Sequence, residues 1–210
     1  AHTFAPRVRH VVASDLTLPM AVKAQELALL RDLPIVSATV ADAERLPFPG
    51  GALDLVTCRL GAHHFPDVGA FVREAARVLR PGGLLAVSDN VVPGSNRRGK
   101  KARLQQEAGR YINAFEKLRD PSHVRHQTID EWRRHFYDAG FALQHEEWDK
   151  KTIDFAEYVA RSGVAPLDVV RLRAMLVQAP QLVLEFLTPI FQGDTITFYL
   201  TESIFIGKLN

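Results

Sequence analysis

The sequence predicts an α/β fold built on a doubly wound, mostly parallel sheet, and three observations support this prediction. Short apolar runs alternate with helical patterns over residues 1–92, which is typical of strand–helix–strand units. The predicted strands are nearly continuous apolar runs, as expected where helices cover both faces of a sheet. With 210 residues, of which 47% are hydrophobic and 24% charged, the chain has the balance of one globular domain.

The predicted elements follow in order along the chain. Strands at 10–15, 35–40, 53–60 and 84–87 alternate with helices at 19–31 and 68–79. Asp67 is the expected N-cap of the second helix, and the Arg80–Gly83 turn is expected to end it. Further helices are predicted at 102–118, 129–139, 155–160 and 167–177, with strands at 141–148 and 195–208. We expect a single domain in which residues 1–92 form the ligand-binding core, while 93–128 and 152–193 cover a pocket.

Four polar side chains fall at or near the ends of the predicted strands. They are Asp15, Asp42, Arg59 and Asp89. In open α/β sheets ligands bind beyond the carboxyl ends of the strands. The sequence therefore predicts a ligand site at this edge.

Composition and the distribution of apolar residues argue against several classes of protein. A formal net charge of only +2 argues against a nucleic-acid partner. The single cysteine, Cys58, excludes an intramolecular disulfide. No apolar run reaches the roughly 18 residues of a membrane span, and the first residues lack the apolar region of a signal peptide. A cytoplasmic location is the resulting expectation.

Two segments carry a resemblance to a known family. Residues 42–56 read DAERLPFPGGALDLV, and residues 71–83 read FVREAARVLRPGG. They resemble the DAE-LPFPDGSFDLV and E--RVLKPGG motifs of the ubiquinone/menaquinone-biosynthesis-type methyltransferases, the methyltransferase type 11 group. Residues 12–15 with Pro19 and Met20 also resemble the second strand and helix start of that group, and residues 115–125 resemble a run in its uncharacterised bacterial members.

The resemblance implies a class I methyltransferase fold, which is Rossmann-like, with S-adenosylmethionine as cofactor. It implies that Asp15 accepts hydrogen bonds from the ribose hydroxyls, since a carboxylate offers two acceptor oxygens. Asp42 would receive the adenine amino group, with the Ala43 amide on the ring and with Leu16 and Leu46 on its two faces; core packing is the equal alternative for the two leucines. The alternatives for the acids are that Asp15 caps the next turn and that Asp42 is a solvated turn residue. Arg59 is expected beside the cofactor or a substrate carboxylate, with an internal ion pair as the alternative.

The loop after the third strand holds His63 and His64, which the family places beside the transferred methyl group. Either histidine is a candidate proton acceptor, because imidazole titrates near neutrality; packing or helix capping is the alternative. Their adjacency does not match the i, i+4 spacing of a two-histidine metal site, so no metal is expected. The candidate acceptor-binding residues are Asp89, Arg119, His123 and Arg125, with loop capping or a solvated face of ion pairs as the alternative.

One departure from the family is large, because its glycine loop and first strand have no counterpart in residues 1–210. We expect the natural protein to be longer, or a second chain, in a homodimer or otherwise, to supply the strand. The function hypothesis is methyl transfer to a small molecule by in-line displacement. The alternatives are an inactive methyltransferase-like scaffold and, less favoured, a nicotinamide-dependent dehydrogenase or a nucleic-acid methyltransferase.

Overall fold

The computed structural model describes residues 3–210, which form seven strands and seven α-helices. The strands are β1 (Val11–Asp15), β2 (Val36–Val40), β3 (Leu53–Arg59), β4 (Leu79–Val91), β5 (Phe141–Asp154), β6 (Ile190–Gln192) and β7 (Thr195–Leu209). The helices are α1 (Leu18–Leu30), α2 (Val68–Val78), α3 (Lys100–Arg119), α4 (Ile129–Asp138), α5 (Phe155–Arg161), α6 (Pro166–Val177) and α7 (Gln181–Leu187).

The strands form two sheets. Strands β1 and β2 pair in parallel, with Asp15 opposite Val40. The second sheet has the order β3-β4-β7-β5, and β6 also pairs with β7. In it β3 and β4 are parallel, whereas β7 runs antiparallel to β4, β5 and β6. The α/β, Rossmann-like prediction is confirmed, with its parallel pairs among the first four strands and antiparallel pairs in the C-terminal half.

Helix α2 follows local sequence signals closely. The Asp67 side chain accepts a hydrogen bond from the Ala70 amide at 2.9 Å, which satisfies one of the free amides of the first turn. Phe71, Val72 and Ala75 recur at helical spacing and are buried. Together they fix which face of the helix packs on the sheet.

Two hydrophobic cores lie against the long strand β7. The first packs α2 and α4 on the sheet through Phe71, Trp132, Phe136 and Phe205. The second joins α3, α5, α6 and α7 to the other half of β7, at residues such as Phe115, Leu172, Val183 and Phe198. Burying one such side chain contributes about 1.5–3 kcal/mol. Residues 141–209 therefore pack into the same folded unit as α2, β3 and β4.

The C-terminal half contains elements that the sequence did not predict. Helix α7 and strand β6 lie within residues 152–193, where only two helices were expected. Strand β5 also continues to Asp154, six residues beyond its predicted end, because it pairs with β7 as far as Thr197. Most residues of β5 are exposed, so its sequence lacks the apolar pattern that would predict a long strand. Pairing with the long strand β7 extends it.

Candidate functional site

Asp15 and Asp42 lie at the same end of neighbouring strands. Asp15 is the last residue of β1, Asp42 follows β2 by two positions, and the Ala41 amide donates to the Asp15 carbonyl at 2.9 Å. Asp15 Oδ1 accepts from the amide and hydroxyl of Thr17, both at 2.8 Å. Asp42 Oδ1 accepts from the Glu44 amide at 2.9 Å. Within residues 3–210 the Oδ2 atoms of both carboxylates have no donor, so each has an oxygen available for a ligand.

The residues next to these acids differ in their surroundings. Leu16, directly after Asp15, is 68% exposed. Ala43, after Asp42, is half-buried against the core that contains Phe71. An exposed leucine beside two carboxylates offers an apolar surface to a planar ring.

The loop after Asp42 is tied to helix α2 by charged side chains. Glu74 accepts from the Leu46 amide at 2.7 Å, and Arg77 donates to the carbonyls of Leu46 and Phe48 at 3.0 and 2.9 Å. Glu44 accepts from the Asp67 amide at 2.7 Å. The two sequence motifs, at 42–56 and 71–83, are therefore one hydrogen-bonded unit that holds the Asp42 loop.

Further predicted site residues lie in the turn after β3. Arg59 is exposed at the end of β3 and forms no ion pair within residues 3–210. Leu60 has a positive φ of 49°, and residues Ala62–His64 form a short 3₁₀ helix. This tight turn directs the chain from the strand end towards the histidines.

His63 is buried and bonded to Asp89 of β4. Its Nδ1 lies 2.7 Å from Asp89 Oδ1, and its backbone amide donates to Asp89 Oδ2 at 2.9 Å. Asp89, which is 2% exposed, also accepts from the Asn90 amide at 2.8 Å. Asp89 therefore holds the His63 ring and backbone in one orientation.

His64 is more accessible than His63. It is half-exposed, and its Nδ1 lies 3.1 Å from the Ser122 hydroxyl oxygen. The two rings are 4.2 Å apart between centroids. Of the two candidate proton acceptors, His64 is thus the one open to a ligand.

Two further buried histidines lie beside His63. The centroids of His123 and His126 are 5.5 and 4.9 Å from the His63 ring. Asn113 of α3 positions both: its Oδ1 lies 3.0 Å from His123 Nε2 and accepts from the His126 amide at 2.7 Å. Burial lowers the pKa of His123 to about 3 and lowers the pKa of His126 well below its usual value. Both rings are therefore neutral at physiological pH.

The sequence interpretation included His63, His64 and His123 but missed His126 and Asn113. A usable signal was present, because four of the eight histidines occur in two close pairs, at 63–64 and 123–126. What was missing was any local indication that residues sixty positions apart pack together.

The predicted basic residues Arg119 and Arg125 are engaged with acids. Arg119 donates to the buried carboxylate of Glu116 at 3.1 Å and stacks 4.2 Å above the Tyr158 ring. Arg125 donates to Glu131 at 2.9 Å. Their charge is locally compensated, which is the ion-pair alternative considered for this run, and their role in acceptor binding stays a prediction.

A cavity of about 630 Å³ is lined in part by Asn113, Val124 and Arg125. It lies between residues 92–96, helix α3 and the start of α4, and Asn113, Arg110 and Arg125 are among its lining residues. Asn113 thus touches the cavity with one side and the histidines with the other.

No helix in the described range, 3–210, combines the length and the apolar character that crossing a bilayer requires.

Comparison with known proteins gives consistent results. Residues 1–87 match the family model described as a methyltransferase domain. The uncharacterised YafE of Escherichia coli K12 is 35% identical over 170 residues, covering 80% of this chain and 77% of YafE. Demethylmenaquinone methyltransferase of Listeria monocytogenes is 30% identical over 156 residues, covering 74% of this chain and 64% of that enzyme.

The uncharacterised methyltransferase YcgJ of Bacillus subtilis is 32% identical over 163 residues, covering 78% of this chain and 60% of YcgJ. Its crystal structure superposes with a TM-score of 0.91 at 27% identity, over 100% of this chain and 86% of the YcgJ chain. The sequence matches thus span about three fifths of the length of YcgJ and of the Listeria enzyme.

Proposed function

The chain belongs to the class I methyltransferase family, and from that premise we propose that it transfers a methyl group from S-adenosylmethionine to a small-molecule acceptor. The observation that carries the proposal is the placement of Asp15 and Asp42 at the same end of two neighbouring parallel strands. Each keeps one carboxylate oxygen free within residues 3–210, and two such acceptors suit the ribose hydroxyls and the adenine amino group of one adenosine.

The other predicted cofactor contacts fit the same ligand. The exposed Leu16 side chain offers an apolar face to adenine, and the Ala43 amide follows Asp42 directly. Arg59, at the end of β3 and free of ion pairs in the described range, is proposed as a further contact. The Glu74 and Arg77 hydrogen bonds hold the loop in place before the ligand arrives, which reduces the entropy lost on binding.

When bound, the cofactor supplies an electrophilic methyl group on a sulfonium that is already a good leaving group. The task of the chain is then to align the acceptor, and alignment alone can contribute roughly 7–11 kcal/mol. We propose that the acceptor binds in the cavity beside Asn113 and Arg125. Where the acceptor loses a proton, the half-exposed His64 is the proposed proton acceptor, although it is not among the residues that line the cavity. Asp89, Arg119 and His123 are largely buried. We therefore propose that they support the residues that contact the acceptor and do not contact it themselves.

A small acceptor is favoured over a macromolecule because the cavity holds about 630 Å³, within the range of small-molecule sites. A relative, the Listeria enzyme, is named for a small-molecule acceptor, demethylmenaquinone. The net charge of +2 is low for a nucleic-acid-binding protein.

Calorimetric titration of the full-length protein with S-adenosylmethionine and S-adenosylhomocysteine tests the proposal. We expect one site per chain and a loss of affinity of about ten- to a hundredfold in Asp15→Asn and in Asp42→Asn, because each substitution removes a charged hydrogen-bond acceptor. Asp149→Asn is the matched control, since Asp149 is an exposed strand acid that also accepts a neighbouring amide.

The outcomes separate the competing functions. Absence of binding by the unmodified protein would overturn the methyltransferase proposal and favour an inactive, methyltransferase-like scaffold. Binding that is unaffected by both aspartate substitutions would leave the activity standing but would remove Asp15 and Asp42 from the site.

A further inference from the structure

Four imidazoles from two distant parts of the chain meet inside the molecule. The His63 ring lies 4.2 Å from His64, 5.5 Å from His123 and 4.9 Å from His126, and the rings of His123 and His126 are 4.6 Å apart. His63, His123 and His126 are at most 9% exposed. Such a concentration of buried imidazole has a desolvation cost unless its nitrogen atoms find partners.

Three of these nitrogens have no partner within residues 3–210. They are both ring nitrogens of His126 and Nδ1 of His123. Leaving one buried polar atom unsatisfied costs about 1–3 kcal/mol. The two unpartnered ring nitrogens of His126 therefore lower the stability of the fold, although the Asn113 side chain holds the His126 backbone in place.

A carboxylate completes a possible set of metal ligands. One nitrogen each of His63 and His126 and one oxygen of Asp89 all lie within 4.8 Å of one another. An ion with bonds of about 2.0–2.2 Å would draw these donors inward. The His63 amide and the Asn90 amide already fix the Asp89 carboxylate, which is the kind of support that metal ligands receive from neighbouring groups.

We propose that His63, Asp89 and His126 bind a divalent transition-metal ion, with Zn²⁺ as the reference ion. Two imidazoles and one carboxylate match the donors that Zn²⁺ takes from proteins, and three protein ligands leave a coordination position open. His123, whose Nδ1 has no partner within residues 3–210, lies beside the ligand His126, with 4.6 Å between the ring centroids. No metal was expected from the sequence, because the adjacent His63 and His64 do not have the spacing of a two-histidine site. In the proposed site the second histidine ligand is His126, so that spacing argument does not apply.

The proposal goes beyond methyl transfer and makes a distinct claim about His63. A nitrogen that binds a metal is not available to accept a proton, so the two roles of His63 are alternatives. Asn113, which lines the cavity, also contacts His123 and the His126 amide, so it connects the cavity to this histidine cluster.

The test is a calorimetric titration of chelator-treated full-length protein with ZnCl₂. We expect one ion per chain and a loss of affinity of about a hundredfold or more in His126→Gln, because one of three ligands is removed. His145→Gln is the matched control, since His145 is exposed and, within residues 3–210, pairs with Glu147 alone. Circular dichroism of each variant verifies that it is folded.

X-ray absorption of the Zn²⁺-loaded unmodified protein gives a readout that needs no variant. Two imidazole ligands and an oxygen are expected in the first coordination shell. No stoichiometric binding, equal binding by His126→Gln, or a spectrum without imidazole scattering would overturn the metal site. Titration of the same preparation with S-adenosylmethionine distinguishes this failure from failure of the proposed function.

Discussion

Glu74 accepts a hydrogen bond from the backbone amide of Leu46 at 2.7 Å, and this contact joins helix α2 to the loop that begins at Asp42. Arg77, one turn further along the helix, donates to Glu74 and to the Leu46 carbonyl. Leu46 belongs to the first of the two motifs that carry the family resemblance and Glu74 to the second, so the contact joins the two motifs. Those motifs hold a binding loop by hydrogen bonds, and only Asp42 and Ala43 within them are proposed to contact a ligand.

Replacing Glu74 by Gln should therefore weaken the loop. We expect Glu74→Gln to lower the free energy of unfolding by about 1–2 kcal/mol at pH 7, because a charged hydrogen bond becomes a neutral one. Chemical denaturation in urea measures this change. Glu157→Gln is the control, since Glu157 is an exposed helix glutamate whose side chain forms no hydrogen bond within the described range.

The effect of Glu74→Gln on the free energy of unfolding should depend on pH. The hydrogen bond from Arg77 holds the pKa of Glu74 below its usual value of 4.5. A carboxylate with a lowered pKa stabilises the fold above its unfolded-state pKa, and this contribution is lost as the pH falls through the folded-state pKa. The difference in stability between the protein and Glu74→Gln should shrink below about pH 4.5. A difference that stays constant down to pH 3 would contradict the assignment.

Tyr158 supports the buried carboxylate of Glu116. Its hydroxyl donates to both carboxylate oxygens, at 2.9 and 2.7 Å, and burial raises the pKa of Glu116 against the effect of Arg119. Tyr158→Phe should cost about 1–3 kcal/mol of stability, because it leaves a buried acceptor short of a donor. Thermal and urea unfolding measure the cost. Tyr199→Phe is the matched control, as the half-buried Tyr199 hydroxyl has no hydrogen bond in the part of the chain described; equal losses in both variants would refute the role of Tyr158.

Gly207 is required by close packing of β7 against α4. A methyl group at this position would lie 2.5 Å from Cδ1 of Phe136 and 3.0 Å from Cβ of Phe141. We expect Gly207→Ala to cost about 1–3 kcal/mol by overpacking. In a double-mutant cycle, Phe136→Leu should cost less in the Gly207→Ala background than in the natural sequence, because it relieves the clash. Strict additivity of the two losses would show that the contact is not responsible.

Local patterns in the sequence predicted α1, α2, β1, β2 and β3 within a few residues, whereas β4 begins at Leu79 and includes residues 80–83, where a turn was predicted. Helix α2 was predicted at 68–79 and is found at Val68–Val78, because its cap and its apolar spacing are properties of neighbouring residues. The C-terminal elements α7 and β6 were missed, since a seven-residue helix and a three-residue strand depend on the packing around them.

The sequence by itself determined the α/β alternation and the position of two acids at strand ends, because parallel neighbouring strands end at the same edge wherever they pair. The sequence also contains every ligand of the proposed metal site, but it does not indicate that these residues lie close together in the fold. His63, Asp89 and His126 come from a turn, a strand and a loop, and only the packing of α3 and α4 against the sheet brings them together. Contacts between residues distant in the chain depend on the energy of the whole fold, so the buried histidines became a site only in the tertiary structure.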